Sequence, residues 1–307
     1  MTCTVAVVGR GPIGAAAAQR LATAGVRDVA LVGPAEPEPG EPAYRSSGGS
    51  VCWHRSDPAK TAMIRRTAEF IRARVAAGAP VRARDTPYLF LDAGVLAPAL
   101  NVAAPDLVAD LLGLAAGAGV TQVDVGPVTA VEPVPGGHRV VGAAGTVDAR
   151  VVVLALGAAN PALVPELPAR LEKRQLFVLD LPVDERRAAL PHVVAPIDAG
   201  YAYLFVKDTP DGLRVVVGQE DLVPDEDLTG PVDSYGELLA AGVADRFPFL
   251  RPAGVERILW GVDWADKLPH VVEHRPGLLT VNCGSAVRAC VAIGEQVAAR
   301  VQRTLAG

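Results

Sequence analysis

The sequence predicts an α/β fold in which a nucleotide-binding domain is interrupted by a β-rich domain of mainly antiparallel sheet plus helices. Three observations predict it. An apolar strand, a glycine turn, a helix and a second strand follow one another from Thr4 to Pro34. Strand-like segments with turn signals crowd the middle of the chain, from Gln175 to Gly218. An apolar strand, Leu278 to Asn282, and a long helix, Ser285 to Leu305, then return to the opening pattern.

The first unit carries the most specific motif. Val5-Ala6-Val7-Val8 runs straight into Gly9-Arg10-Gly11-Pro12-Ile13-Gly14. Glycines at these spacings, between a strand and a helix, are the Rossmann dinucleotide fingerprint. Gly9 permits the tight turn, Gly11 lets a pyrophosphate approach the backbone, and Gly14 lets helix and strand pack closely. The helix, Ala15 to Ala24, presents its N-terminal N–H groups and partial positive charge to the phosphates. The second strand, Val29 to Val32, departs from the pattern. It should end in an acid for the adenosine ribose, but Gly33-Pro34 stands there, and Glu36 or Glu38 is the nearest replacement. No Lys or Arg lies between Asp28 and Tyr44, which argues against a 2′-phosphate and so against NADP.

The remaining elements follow in order. Pro34 to Pro42 is a Pro/Glu loop, and Ser46-Ser47-Gly48-Gly49 is a small-residue stretch. Ser56-Asp57-Pro58 reads as an N-cap with proline at the first helical position. Ile64, Ala68, Ile71 and Val75 then keep helical spacing to about Ala77. Tyr88 to Leu91 and Gly94-Val95-Leu96 suggest a hairpin. Pro105-Asp106 opens a helix with Val108, Leu111, Leu112 and Ala115 inward, ended by Gly117 and Gly119. Val120 to Val125, Val128 to Val134, His138 to Val141 and Gly145 to Asp148 are strand-like. Val151 to Gly157 is apolar throughout, as in the middle of a parallel sheet. Gln175 to Leu181, Tyr201 to Lys207 and Leu213 to Gly218 read as antiparallel strands, and Tyr235 to Phe247 as a helix.

Composition narrows the function. The chain has 307 residues, half of them hydrophobic, enough for two domains. A net charge of −5 leaves no basic footprint for nucleic acid. The four cysteines, Cys3, Cys52, Cys283 and Cys290, have no metal-ligand spacing, so reduced thiols and no metal are expected. No apolar run approaches ~20 residues, so no membrane span is expected. The start fits no signal peptide, and a cytoplasmic protein is expected.

These residues resemble the family of FAD-dependent amine and amino-acid oxidoreductases that includes D-amino-acid oxidase, glycine oxidase and sarcosine oxidase. The resemblance spans nearly the whole chain. It rests on the Gly9/Gly11/Gly14 turn, Ser46-Ser47-Gly48-Gly49, Gly94-Val95-Leu96, Val151 to Gly157, and Pro276-Gly277-Leu278 leading to Cys283-Gly284-Ser285. It implies FAD, held without a covalent bond, by Gly9, Gly11, Pro12, Ile13, Gly14, Gly33, Pro34 and Glu36. Ser46, Ser47, Gly48 and Gly49 would lie along the flavin, and Val128 and Gly157 belong to the same cofactor set. Gly284, Ser285, Ala286, Val287 and Arg288 would meet the flavin ring. The implied domains are residues 1–80 with 99–162 and 264–307 for FAD, and 81–98 with 163–263 for substrate.

Flavin amine oxidation needs a C–H bond held against the flavin and a neutral amine, so positioning groups matter more than a dedicated base. Tyr203, His54 and Arg288 are the catalytic candidates; Tyr201, Trp260, Gly261 and Trp264 are candidates for the substrate pocket. Core packing is the alternative reading for the tyrosines and tryptophans. The pattern of relatives fails at three places. By a register set on Asp266, Gly261 replaces an arginine that clamps the substrate carboxylate. Leu259 stands where some relatives tether flavin to cysteine. Val51 and His54 replace arginines that follow the flavin loop. Lys267 is a further candidate, for oxygen activation, with Arg288 or Arg55 as other carboxylate partners. The expected function is oxidation of a C–N bond of a small amine or amino-acid-like substrate, in a specialised biosynthetic pathway. An NAD-dependent dehydrogenase and a non-catalytic FAD-binding protein are the competing readings.

Overall fold

The computed structural model describes residues 1–35, 43–53, 57–168, 170–198, 200–209, 212–219, 228–265 and 268–307. In chain order, the first segment holds β1 (Thr2–Val8), α1 (Pro12–Thr23) and β2 (Val29–Val32). Next come α2 (Ala43–Ser46), β3 (Ser50–Cys52), α3 (Pro58–Ala76), β4 (Ala83–Asp85), β5 (Tyr88–Phe90), β6 (Val95–Ala97) and β7 (Ala99–Val102). Then follow α4 (Ala104–Gly117), β8 (Thr121–Val123), β9 (Val128–Val134), β10 (Gly137–Gly142), β11 (Gly145–Leu154) and α5 (Asn160–Leu163). After these lie β12 (Leu171–Leu179), α6 (Glu185–Ala188), β13 (His192–Ile197), β14 (Gly200–Thr209), β15 (Gly212–Gln219), α7 (Tyr235–Leu238), α8 (Ala244–Arg246) and β16 (Val255–Trp264). The chain closes with β17 (His270–Arg275), β18 (Leu278–Asn282) and α9 (Ala286–Ala306).

Two compact units result. The first comprises Met1–Tyr44, Ala104–Leu171 and Asp263–Gly307; the second comprises Arg45–Ala103 and Glu172–Val262. Residues 45–80, assigned to the FAD domain by the sequence reading, cluster with the second unit. The physical reason is β-pairing: β3 joins β7, and β7 joins β4, in one small antiparallel sheet.

The first unit is built on a sheet of order β17-β18-β11-β1-β2-β8. β1 is parallel to both β11 and β2, so Val5 to Val8 are buried on both faces. That is why this run is continuously apolar rather than alternating. α1 is alanine-rich because α9 packs closely on it: a Cβ added at Gly294 would lie 2.8 Å from the backbone of Ala16. Gly145 to Asp148 and Val151 to Gly157, read as two strands, merge into the single strand β11, which ends at Leu154.

The second unit holds the seven-stranded sheet β16-β12-β15-β14-β13-β5-β6. Along β14, Ala202 and Leu204 point into one core with Phe177 and Val217, while Phe205 packs with Val178 and Val216 on the other face. The expected helix Tyr235 to Phe247 is broken: Gly242 takes φ +100° and Ala241 leaves the helical region, so α7 and α8 flank a wide turn. Val75, placed on the buried face of α3 by spacing, is 40% exposed in the last turn of that helix.

Candidate cofactor site

The glycine turn of the first unit is set by sterics. Gly9 has φ +111°, and a Cβ there would sit 2.5 Å from the Ala155 carbonyl oxygen. A Cβ on Gly14 would sit 1.8 Å from the Gly9 carbonyl oxygen. Both positions therefore need glycine for the fold itself. Gly11 does not. It is the N-cap of α1 at φ −73°, ψ −177°, and a Cβ there would meet nothing within 4 Å. The glycine thus keeps clear a space that the protein does not fill. No side chain caps the helix start, and no acid stands in its first turn. Pro12, buried, opens the helix, and the N–H groups of Ile13 and Gly14 lie in the first turn, whose donors have no intrahelical partner. A free helix N-terminus beside an open glycine is a fit for a dinucleotide pyrophosphate.

Around this turn stand other groups of the same unit. Gly33 ends β2 at φ +147°, followed by Pro34, and Val128 begins β9 half-buried. Gly157, at φ +60°, opens the turn after β11, and its carbonyl oxygen accepts the Trp264 indole N–H at 3.0 Å. Trp264 is 5% exposed within the core of the first unit, so its place is packing and support of the Gly157 turn. The turn before α9 is held by Asp263. One oxygen accepts the Ser285 N–H at 2.8 Å and the other accepts the Trp264 N–H at 3.0 Å. Ser285 caps α9 in the left-handed region, φ +65°, a conformation that costs a non-glycine residue about 1 kcal/mol or more. Gly284 and Val287 are buried, while Ala286 and Arg288 are half-buried.

Asn160 ties the two turns together and was missed in the sequence. It is fully buried; its oxygen accepts the Leu156 N–H, and its amide donates to the Val281 carbonyl and, at 2.7 Å, to Asn282. Asn282 in turn donates to Thr280, which contacts His274 Nε2 at 2.8 Å. The available signal was polar residues, Thr280 and Asn282, inside an otherwise apolar strand.

The second unit carries the small-residue stretch, and every part of it is held. Ser46 is buried at the end of α2. Ser47 Oγ accepts the Gly49 N–H at 3.1 Å, and the Ser47 carbonyl accepts from the buried Lys207 ammonium. Asn101 donates to the Gly48 carbonyl at 3.1 Å. A Cβ on Gly48 would lie 2.8 Å from the Phe205 ring, and one on Gly49 2.0 Å from the Val102 carbonyl oxygen. Tyr203, Phe205 and Lys207 alternate on one face of β14, so Tyr203 stands on the strand face that meets this loop. Its ring meets His192 edge-on at 6.1 Å; His192 stacks on Phe205 at 4.3 Å and on Tyr88 at 4.0 Å. Tyr201 lies 42% exposed, its hydroxyl 3.4 Å from Asp92. Trp260 is half-buried and Gly261 buried on β16; Leu259 packs with Tyr203 and Phe205.

His54, Arg55, Ser56, Glu36, Glu38, Asp266 and Lys267 lie outside the described residues. The cap of α3 is Asp57, whose carboxylate accepts from Ala59 and Lys60. Among the described residues no cluster of acids, histidines or cysteines suits a metal, and no helix is long and apolar enough to cross a membrane.

A parallel sheet with this glycine turn in one unit, and a mainly antiparallel sheet in the other, are the architecture of a dinucleotide-binding protein. Residues 83–300 match the family model "FAD dependent oxidoreductase", and the chain belongs to that family, which also contains D-amino-acid oxidase. It is an FAD-dependent enzyme, which removes the NAD-dependent reading. Solved structures share the fold over nearly the full chain. Glycine oxidase from Geobacillus kaustophilus is 21% identical, with 98% of this chain and 95% of that chain covered and a TM-score of 0.73. L-Proline dehydrogenase from P. horikoshii is 18% identical, with 98% and 94% covered and a TM-score of 0.79. Iminodiacetate oxidase from Chelativorans sp. BNC1 is 21% identical, with 99% and 95% covered and a TM-score of 0.73. No curated protein matches the sequence.

Proposed function

We propose that this protein oxidises a C–N bond of an amine or amino-acid-like substrate. The observation that carries the reading is the family membership joined to the fold neighbours. Glycine, L-proline and iminodiacetate, for which those enzymes are named, all present a nitrogen on an oxidisable carbon. FAD supplies the redox chemistry, accepting a hydride from the carbon next to nitrogen.

The chain's residues bind and orient. Gly9, Gly11 and Gly14 with the α1 N-terminus receive the pyrophosphate, and Gly33, Pro34, Val128 and Gly157 surround the adenosine part. Gly284 to Arg288 would meet the flavin ring, where the α9 N-terminus and the Arg288 guanidinium would offset developing negative charge. Ser46 to Gly49, fixed by Asn101, Lys207 and Phe205, would lie along the flavin. Tyr203 positions the substrate, which its location on the loop-contacting face of β14 supports. His54 is a second positioning candidate, and Gly261 lies on the substrate side, whereas Trp260, its neighbour on β16, is directed to the other face of the strand. The purified protein tests the reading. It should be yellow, and anaerobic addition of a substrate from a panel of amines and amino acids should bleach the flavin. A yellow protein that no amine reduces, while dithionite does, would leave only the non-catalytic FAD-binding reading.

A further inference from the structure

We infer that Asp124 supplies the ribose acceptor that the end of β2 lacks. The inference rests on FAD occupying the glycine turn. In dinucleotide-binding folds of this type the adenosine ribose meets an acid at the end of the second strand. Here that residue is Gly33, and a Cβ there would meet nothing closer than Gly9 N at 3.9 Å and Arg10 Cγ at 4.0 Å. Among the described residues, no side chain stands in contact closer than this at the position of the usual acid.

The neighbouring strand brings a carboxylate to it. β8 runs parallel beside β2, with Val123 paired to Val32, and Asp124 follows at once. The Gly33 N–H donates to the Val123 carbonyl at 3.2 Å, which closes the two strand ends together. Two residues past Gly33, the Ala35 N–H donates to Asp124 Oδ2 at 3.1 Å, while the Gly126 N–H donates to Oδ1 at 2.8 Å. These two bonds aim the carboxylate at the β2 end. They use one acceptor position on each oxygen and leave capacity on both, enough for the two hydroxyls of a vicinal diol. The Gly126 and Ala35 N–H groups, with the Arg10 charge nearby, hold the carboxyl below the usual carboxylate range, so it is ionised at neutral pH. Arg10 Nε is buried without a hydrogen-bond partner among the described residues, a donor available to the same ligand. An anionic acceptor also repels a 2′-phosphate, so the arrangement selects plain adenosine.

Titration of the deflavinated protein with FAD, and with an FAD analogue lacking the 2′- and 3′-hydroxyls of its adenosine ribose, tests the inference by quenching of flavin fluorescence. The native protein should bind FAD roughly 10- to 100-fold more tightly than the analogue, the range of a hydrogen bond to a charged group. Asp124→Asn should weaken FAD by a similar factor and bring the two ligands close to equal affinity. The paired variant Glu36→Gln/Glu38→Gln should keep the native preference. Three results would overturn the inference: no native preference between the ligands, an unchanged preference in Asp124→Asn, or its loss in the Glu36/Glu38 variant. Failure of the underlying reading looks different, because then neither ligand quenches with the native protein and Gly11→Val changes nothing.

Discussion

Gly11 and Gly14 lie three residues apart and are glycine for opposite reasons. A side chain at 14 would collide with the Gly9 carbonyl, while one at 11 would project into open space. Gly14→Ala should therefore damage the fold itself, by about 1–3 kcal/mol as for an overpacked core, seen as a lower denaturant midpoint. Gly11→Val should keep the native circular dichroism and midpoint and yet purify without yellow colour. A folded Gly11→Val protein with a full complement of FAD would refute the pyrophosphate assignment. The thiols give a second residue-level test. All four cysteines are buried and none is in a disulfide. Burial pushes the Cys3 thiol up to about 11 and that of Cys290 to about 12. At pH 8 neither forms appreciable thiolate, the reactive species. A thiol reagent should thus leave Cys3 and Cys290 of the native protein unlabelled over minutes and label four sites in denaturant. Rapid native labelling of Cys290 would contradict its place on the buried face of α9.

At the scale of elements, legibility follows how local the cause is. α1, β2, α4, β9, β18 and α9 were readable because each carries its own signal: a glycine turn, an alanine face, an apolar run. α3 was readable because its cap is local. Asp57 bonds the first turn, so Asp57→Ala should cost about 1 kcal/mol, measurable as a reduced urea midpoint with no change in bound FAD. β13 and β16 were not readable. His192 to Ile197 contains a proline and does not alternate, and it is a strand because β14 and β5 flank it on either side. Val255 to Trp264 mixes charged and aromatic residues whose partners are distant in sequence. The same rule divides the site. The glycines announced themselves by spacing. Asp263, Asn160, Lys207 and Asn101 act through partners 22, 122, 160 and 53 positions away, and no local pattern marks them.

At the scale of the whole molecule the question is what the rebuilt substrate side accepts. The cofactor should come off first without a struggle: no cysteine stands at 259, where Leu259 is packed with Tyr203 and Phe205. Acid precipitation should leave a yellow supernatant and a white pellet, and flavin found on the denatured peptide by mass spectrometry would count against this. The substrate follows from Gly261. By resemblance, this buried residue of β16 replaces an arginine that grips the substrate carboxylate. A bond of that charge-assisted kind is worth roughly 1.5–3 kcal/mol, so its loss weakens glycine-like substrates by about one to two orders of magnitude. Either another cation, Arg288 or Arg55, takes the carboxylate, or the substrate has no free carboxylate and is larger. The second alternative fits better, because replacing arginine by glycine removes volume as well as charge. Glycine, sarcosine and D-alanine should therefore turn over poorly, and a bulkier amine or modified amino acid better. Steady-state rates decide it: efficient oxidation of any of the three at micromolar KM would mean that a carboxylate clamp survives in this chain and that Gly261 does not occupy its position.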